Sequence, residues 1–421
     1  MPGITRKFAL LLGACSLPCL GAPARAAPAQ EPVSVGDRFN ALNLAPGFAL
    51  EGWEVRPAAS LRPGYDDNIT WASDRPASSS ELELRGSVDA SQQVGPYAVN
   101  ASALLRQTWY PDSSDSDKTE ANLRGAITVE LGPRLALRGA ASFEQGVETG
   151  ITNGIVVSGV FDPYTKRAAF RRIPVEAGID YTIGRFALRG DARLEAVDFD
   201  SQTTRSGLRV AQDFRNGWES ELRLRGGYEI YPHLSVFAET RAGASRYEDS
   251  NGDNDTWRAV VGGEVELSRL LVGEAYAGYA GQSFPSSGGQ TSGLTYGAQL
   301  HWFARELLSF TLNTQREFRA EVTTTLAGVT STIPVTHDAV SVRAEWEPLR
   351  SLLVYAQAGY EREGRASVDR TDQLVSLIVG ATYVLTRNLN FEFEYEREDG
   401  TSNFSGDFER NRVSLGLAAA Y

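Results

Sequence analysis

Apolar and polar residues alternate along most of this chain, from about Trp53 to its end. The last ten residues, 412–421, place Leu415, Leu417 and Tyr421 on one strand face, opposite small and polar residues. A period of two residues is that of a β-strand, and no later stretch shows the period of a helix. Many amphipathic strands ending on an aromatic residue predict a closed antiparallel sheet in a membrane.

Short turns alternate with longer polar loops along the sequence. The predicted turns lie at 95–96, 132–133, 184–185, 231–232, 268–269, 305–306, 348–349 and 386–388. The predicted loops cover 67–79, 111–117, 149–166, 201–216, 249–255, 284–291, 322–336, 364–372 and 400–407. Eight turns and nine loops predict about 18 strands, within a range of 16–20. In outer-membrane barrels short turns face the periplasm and long loops face outside.

The charged strand faces decide between a membrane barrel and a soluble β-sandwich, whose strands also alternate. In the segment 219–230, Leu222 and Leu224 oppose Glu221 and Arg223. A soluble barrel turns its apolar face inward, but about eight strands is already the size that side chains can fill. We therefore predict an all-β, transmembrane, antiparallel up-and-down barrel over residues 53–421, with apolar residues towards lipid.

Aromatic residues near the predicted strand ends indicate interfacial girdles, where amphipathic rings sit at the level of lipid headgroups. The predicted girdle residues are Trp53, Trp109, Tyr110, Tyr181, Tyr231, Trp257, Trp302, Phe303, Trp346, Tyr383 and Tyr421.

The polar strand faces supply the predicted pore lining. Its residues are Arg138, Arg189, Asp191, Arg193, Glu195, Glu221, Arg223, Arg225, Glu239, Arg241, Arg343, Glu345, Glu392, Glu394 and Glu396. Facing arginines and carboxylates could select solutes, or could neutralise one another and only stiffen the wall. The acidic run 392–396 favours cations or neutral sugars over polyanions.

The N-terminus predicts a secretory signal peptide over residues 1–26. Arg6 and Lys7 precede an apolar run too short to span a bilayer, and a small-residue cleavage site ends at Ala26. A lipoprotein signal at Cys15 is the alternative. Residues 27–52 do not alternate, and within them 37–44 could form a short helix or strand. We predict a periplasmic N-terminal segment there, which could also enter the lumen.

Composition excludes several classes of function. Both cysteines lie in the predicted signal peptide, so the mature chain has neither disulfides nor thiol chemistry. Residues 1–26 carry three basic residues and no acidic one, so the formal charge changes from −12 to −15 on cleavage. An acidic chain without a basic run is a poor partner for nucleic acid.

Neither catalytic nor metal-binding residues are predicted. The chain has three histidines, His233, His301 and His337, and none follows a hydrolase motif. Acidic residues in 112–117 and 249–255 resemble calcium loops, but the required glycine and final glutamate are missing. We expect solvated loops there, with weak divalent-cation binding as the alternative, and we expect no cofactor.

The segment 52–69, G-W-E-V-R-P-A-A-S-L-R-P-G-Y-D-D-N-I, resembles the opening of a family of outer-membrane β-barrel porins, the beta-barrel porin 2 type. The long strands that follow short turns, such as 134–145, 234–247, 352–363 and 389–398, resemble that family too. The resemblance covers essentially the whole mature chain. It implies an outer-membrane barrel, often encoded near surface-polysaccharide genes, with transport as the inferred role and no defined catalytic residues.

Together these observations predict a passive aqueous passage for hydrophilic solutes or surface polysaccharide in the outer membrane of a Gram-negative bacterium. The alternative is a plugged, non-conducting accessory barrel of an exopolysaccharide assembly or secretion system. The expected partners are outer-membrane lipid and lipopolysaccharide, the barrel-assembly machinery through the C-terminal strand, and polysaccharide export proteins.

Overall fold

The computed structural model describes residues 34–43, 45, 47–73, 76–148, 154–157, 160–163, 168–204, 206–267, 270–324, 330–365, 369–404 and 406–421. The predicted signal peptide, 1–26, and the predicted turn at 268–269 lie outside these ranges. Within them, no helix is long and apolar enough to cross a bilayer.

Eighteen long strands form one antiparallel sheet. They are β1 (Trp53–Asp66), β2 (Ser79–Val94), β3 (Tyr97–Trp109), β4 (Lys118–Glu130), β5 (Leu135–Val147), β6 (Ala169–Ile183), β7 (Phe186–Phe199), β8 (Gly217–Tyr231), β9 (Leu234–Tyr247), β10 (Asn254–Leu267), β11 (Leu271–Phe284), β12 (Gly289–Arg305), β13 (Leu308–Thr324), β14 (Thr330–Leu349), β15 (Leu352–Arg365), β16 (Arg370–Thr386), β17 (Leu389–Ser402) and β18 (Phe408–Ala420). Each strand pairs with its neighbours in sequence, and β18 pairs with β1, which closes the barrel. The predicted up-and-down barrel of 18 strands is confirmed.

Shorter elements decorate the barrel. They are the helix α1 (Val35–Asn43), the strand Phe48–Leu50, the paired strands Gly154–Val157 with Val160–Pro163 and Gln202–Thr203 with Arg209–Val210, and the 3₁₀ turns Ser114–Ser116, Asp213–Arg215 and Ser250–Gly252. The strand Phe48–Leu50 forms a hairpin with the start of β1. The Phe48 ring lies 5.9 Å from that of Tyr421, so this hairpin supports the closing strand at its end.

The connections alternate between short and long, as predicted, but several predicted boundaries fall inside strands. The predicted loop 322–336 is wrong, because β13 continues to Thr324 and β14 begins at Thr330. The segment is rich in threonine and valine, whose branched side chains suit a strand even without regular alternation. The predicted turn at 348–349 is the end of β14, and the chain turns at 350–351 instead.

The apolar strand face points away from the barrel axis. Leu84, Leu105 and Leu222 are exposed, whereas Glu83 and Glu239 on the alternate positions are buried. Exposed apolar side chains in nearly every strand are costly in water and favourable in hydrocarbon, which requires the outer face to contact lipid.

Two predicted girdle residues do not face lipid. Tyr110 is buried at the end of β3, where its hydroxyl accepts a hydrogen bond from Lys118 Nζ at 3.2 Å. This burial raises the pKa of the Tyr110 phenol, which therefore stays protonated. Phe303 lies on the interior face, next to the N-terminal helix. Trp302 and Trp346 are exposed near the short turns, as expected of a girdle.

Interior tyrosines lie flat over glycines of the neighbouring strand. Tyr355 on β15 pairs with Gly380 on β16, and a Cβ at that glycine would stand 2.3 Å from the tyrosine ring. The ring also contacts the Arg343 guanidinium, 4.3 Å from its centroid. Glycine is needed at this position because any side chain would displace the ring.

Gly380→Val is expected to lower the free energy of unfolding by about 1–3 kcal/mol, the usual cost of overpacking. Urea unfolding in lipid vesicles, followed by tryptophan fluorescence, measures the change. Gly86→Val is the matched control, because no atom lies within 4 Å of a Cβ at that strand position. Equal stability of the two variants would contradict the packing argument.

Candidate functional site: the barrel interior

The interior face of β5–β7 carries a network of arginine–carboxylate pairs. Arg138 on β5 donates to Asp180 on β6 and to Asp191 on β7, each at 2.6 Å. Arg189 donates to the same Asp180 at 2.8 Å. Gly178 lies opposite Arg138, and a Cβ there would stand 2.7 Å from the guanidinium. The glycine therefore leaves the space through which the arginine crosses β6.

The charges next to this network remain accessible to water. Arg124 on β4 and Arg193 on β7 both donate to Glu176 on β6 at 3.1 Å. Their side chains are 44%, 44% and 34% exposed, respectively. Arg193 also pairs with Glu195, which is buried. This sector of the wall combines fixed charges with solvent access.

A single buried carboxylate organises the adjacent wall. Glu239 on β9 lies 2.5 Å from nitrogen atoms of Arg223 and of Arg258, 2.9 Å from Arg241 and 3.6 Å from Arg225. Desolvation of the carboxylate is offset by four cations. All of these residues except Arg258 were predicted to line the pore. Arg258 was missed because the apolar Val260 on the same face of β10 interrupts the polar pattern.

The same arginines connect Glu239 to further carboxylates. Arg225 pairs with Glu264 and lies 2.8 Å from Glu274 on β11. Arg241 approaches Glu221 on β8 at 3.9 Å, and this glutamate is half exposed. The result is a charge network that extends from β8 to β11 and leaves Glu221 at its accessible edge.

The acidic run on β17 faces inward, and each carboxylate has a neighbour. Glu392 pairs with Arg62 on β1, and Glu394 accepts a hydrogen bond from the Tyr355 hydroxyl at 2.8 Å. Glu396 lies 3.6 Å from an arginine of β18. These contacts place the run within a paired wall, where its charge is partly compensated.

The helix α1 lies inside the barrel. Val35 and Phe39 on one helix face are fully buried and pack against Leu353 on β15, with Phe303 and Val384 beside it. The interior of a wide barrel is polar, so this small apolar patch on the wall is a specific docking surface. The structure thus places part of the segment 27–52 in the lumen.

Polar contacts fix the start of the helix. Val35 N donates to Ser309 Oγ at 2.9 Å, and Gly36 N donates to Glu345 Oε2 at 3.0 Å. Arg343 holds the same glutamate at 2.8 Å. Amides of the first helical turn lack intrahelical partners and attract negative charge. The predicted lumen residues Arg343 and Glu345 therefore serve as the anchor for α1.

The β1–β2 loop also folds onto the interior wall. Trp71 packs against Leu374 on β16 and Phe408 on β18, and its indole nitrogen donates to Glu398 at 2.8 Å. Arg410 donates to the same glutamate at 2.7 Å and lies beneath the indole ring. The loop therefore covers the interior wall next to the β18–β1 pairing that closes the barrel.

The β13–β14 hairpin crosses the barrel mouth. Arg316 is the last residue of β13 that pairs with β12. Beyond it Phe318 lies against the interior face of β12, 2.8 Å from where a Cβ on Gly293 would stand. Thr332 donates to the carbonyl of Gly252 in the β9–β10 loop at 3.0 Å. The hairpin thus turns inward and contacts loops of other strands.

A buried ion cluster ties this hairpin to the wall. Arg365 donates to Glu321 on β13 at 2.7 Å, to Glu363 at 2.8 Å and to Asp372 on β16 at 2.6 Å. Arg370 also holds Asp372, at 2.9 Å. This cluster was not predicted from the sequence, because Glu321 lies 44 residues before Arg365 along the chain.

The three histidines lie in three separate places. His233 is in the β8–β9 turn, 3.6 Å from Glu266. His301 shares a hydrogen bond of 3.1 Å with the Thr311 hydroxyl on the interior face. His337 is buried on β14 beside glutamates of β15. None lies next to a serine or cysteine nucleophile among the hydrogen-bonded side chains of the described residues.

Aspartate side chains in the acidic loops accept hydrogen bonds from nearby backbone amides. Asp249 accepts from Asn251 N at 3.0 Å, Asp253 from Tyr247 N at 2.9 Å, and Asp117 from the backbone at the end of β3 at 2.8 Å. Over the described ranges, no group of three or more His, Cys, Asp or Glu could hold a metal ion.

A family comparison assigns the chain. The model of the family described as "Putative beta-barrel porin 2" matches residues 45–421. The chain therefore belongs to the beta-barrel porin 2 family, a class of porin-like barrels of the Gram-negative outer membrane. None of the curated proteins compared with the chain matches it.

Solved structures resemble the barrel at low sequence identity. The copper transporter OprC is 9% identical, with a TM-score of 0.51, covering 89% of this chain and 82% of that one. OpdO of Pseudomonas aeruginosa is 14% identical with a TM-score of 0.46, covering 90% and 99%. OccK1 (OpdK) of the same organism is 11% identical with a TM-score of 0.45, covering 87% and 99%. At such identities only the OprC likeness supports an inference, and it concerns the fold alone.

Proposed function

We propose that this barrel is a passive outer-membrane channel, and that hydrophilic solutes cross it along the interior face of β4–β8. The observation that carries the proposal is the distribution of accessible charge. Arg124, Glu176, Arg193 and Glu221 are accessible within the lumen. The helix α1, the β1–β2 loop and the β13–β14 hairpin cover parts of the interior face on other strands.

Mixed charge on the accessible wall suits small polar solutes. A wet lumen of 18 strands is too wide to be filled by side chains. Arginines next to carboxylates offer both donors and acceptors to sugars and other hydroxylated solutes, and they set a local field that influences ion selectivity. Surface polysaccharide is a second proposed cargo. Arginines and carboxylates nearly balance in these clusters, so the wall would repel a charged polymer only weakly.

A plugged accessory barrel is the second candidate function, and the lumenal position of α1 supports it. In that case the protein conducts only when the helix leaves its docking surface. Interaction with polysaccharide export proteins, and delivery by the barrel-assembly machinery through β18, remain proposals of the same kind. No catalytic step is part of either proposal.

The channel proposal is tested by removing positive charge from the accessible wall. In planar bilayers the native protein is expected to give stable conductance steps. Arg124→Gln combined with Arg193→Gln leaves Glu176 uncompensated, so the reversal potential in a salt gradient should shift towards cation preference.

Arg397→Gln provides the matched control. Arg397 is 42% exposed, close to the 44% of Arg193, but lies on the outer face of β17. Its replacement should leave the reversal potential unchanged. Identical selectivity of the double variant and the native protein would contradict passage along β4–β8, and a native protein without conductance would favour the plugged barrel.

A further inference from the structure

One row of charged residues borders the lipid-facing surface of β13–β15. Arg316, Asp338 and Arg362 are directly paired across these strands, and we call them the upper charged row. They lie on the outer face, since they alternate with interior residues and continue the positions of the exposed Val342 and Tyr360. The row therefore marks the limit of the apolar band at the loop end of the barrel.

The rows immediately below are apolar. The next paired row contains Val340 and Tyr360, and the one after it contains Leu312, Val342 and Leu377. Trp302 and Phe310 stack further down, with ring centroids 5.5 Å apart. This surface could hold acyl chains beneath the charged row.

The upper charged row has a net positive charge. Arg316 holds Asp338 through two hydrogen bonds, Nε–Oδ1 at 2.5 Å and Nη2–Oδ2 at 2.9 Å. The Arg316 guanidinium lies 5.6 Å from the centroid of the Tyr296 ring. Arg362 is exposed beside this pair, and within the described residues it makes neither an ion pair nor a hydrogen bond. Arg316 is thus held in a fixed position by Asp338, and the exposed Arg362 can bind an anion.

Other ion-paired arginines on the outer face at this end are fully compensated. Arg246 meets Asp255 at 2.5 Å, one to one. Arg397 meets two carboxylates, Asp399 at 2.9 Å and Glu409 at 3.5 Å. Among such groups in the described strands, the upper charged row alone has more cations than anions.

We propose that the upper charged row binds the phosphorylated headgroup of a glycolipid in the outer leaflet. Guanidinium groups match phosphate oxygens in geometry and charge. Tyr296 and Tyr360 would flank the sugar at the headgroup level, where tyrosine is favoured. The apolar rows below select a lipid over free phosphate, because only a lipid adds contacts for acyl chains. The proposal depends on the membrane location and does not depend on conduction.

The test measures retention of glycolipid by the full-length protein. Purified protein in detergent is titrated with a diphosphorylated, lipid A-type glycolipid and analysed by native mass spectrometry. Arg316→Gln combined with Arg362→Gln should weaken binding about tenfold or more, as expected for the loss of charge-assisted hydrogen bonds. Arg246→Gln, on the same face, should bind like the native protein.

Two further measurements decide the identity of the ligand. A dephosphorylated glycolipid should bind the native protein no better than it binds the double variant. Inorganic phosphate should not displace the glycolipid at equal concentration. Equal binding by the native protein and the double variant would overturn the proposal, as would displacement by phosphate, which would indicate a soluble-anion site. A heat-dependent shift in gel mobility confirms that each variant is folded, and conductance is measured separately.

Discussion

Replacing Arg365 with methionine is expected to lower the free energy of unfolding by about 3–5 kcal/mol, the usual cost of breaking a buried ion pair. Its guanidinium is fully buried and holds Glu321, Glu363 and Asp372. Methionine keeps most of the side-chain length but removes the cation that the three carboxylates share, while Arg370 still holds Asp372. Like charges in a desolvated cluster then oppose the inward position of the β13–β14 hairpin.

Urea titration in lipid vesicles measures the loss of stability, and protease cleavage near residues 325–329 reports release of the hairpin. Arg246→Met is the control, because this arginine pairs with a single carboxylate and is half exposed on the outer face. Exposed pairs contribute little to stability. A stability of Arg365→Met equal to that of the control would show that the cluster does not hold the hairpin.

Removing residues 27–46 is expected to raise the unitary conductance roughly 1.5-fold or more. This deletion takes α1 out of the lumen. It keeps the strand Phe48–Leu50, which supports the end of the closing strand β18. A helix with its side chains is about 10 Å across, a substantial part of the water-filled cross-section of a porin-sized barrel.

Point variants separate release of the helix from loss of chain. Phe39 is 1% exposed and lies in the docking surface, whereas Leu42 on the same helix is 71% exposed. Phe39→Asp should undock α1 and reproduce the larger conductance, because a carboxylate in an apolar patch is strongly unfavourable. Leu42→Asp should conduct like the native protein. Equal conductance of all three variants and the native chain would contradict a role for α1 as a plug.

The architecture could be predicted from the sequence because each strand carries its own signal. Leu222 and Leu224 opposite Glu221 and Arg223 fix both the strand and the face that contacts lipid. Gly184 and similar turn residues fix where strands end. Such local patterns, repeated along the chain, determine strand number and topology without knowledge of long-range contacts.

What fills the barrel could not be predicted in the same way. The helix α1 has only two residues in its apolar contact, Val35 and Phe39, and the sequence left helix and strand open for this segment. The inward turn of the β13–β14 hairpin depends on Arg365, whose partners come from three different strands. Pairing between distant charges leaves no periodic signal, because any arginine on the polar face could meet several carboxylates.

Because the number of strands is even, both ends of the sheet lie on the same side of the membrane. This determines which parts of the protein are exposed on the cell surface. The sheet starts at Trp53 and ends at Ala420 on the same side as its eight short turns, which in outer-membrane barrels is the inner side. An antibody or a phage arriving from the medium would meet the longer connections on the opposite side, although the β1–β2 loop and the β13–β14 hairpin fold inward. A purification tag at Tyr421 would therefore stay hidden on intact bacteria, and surface labelling requires insertion into one of those connections.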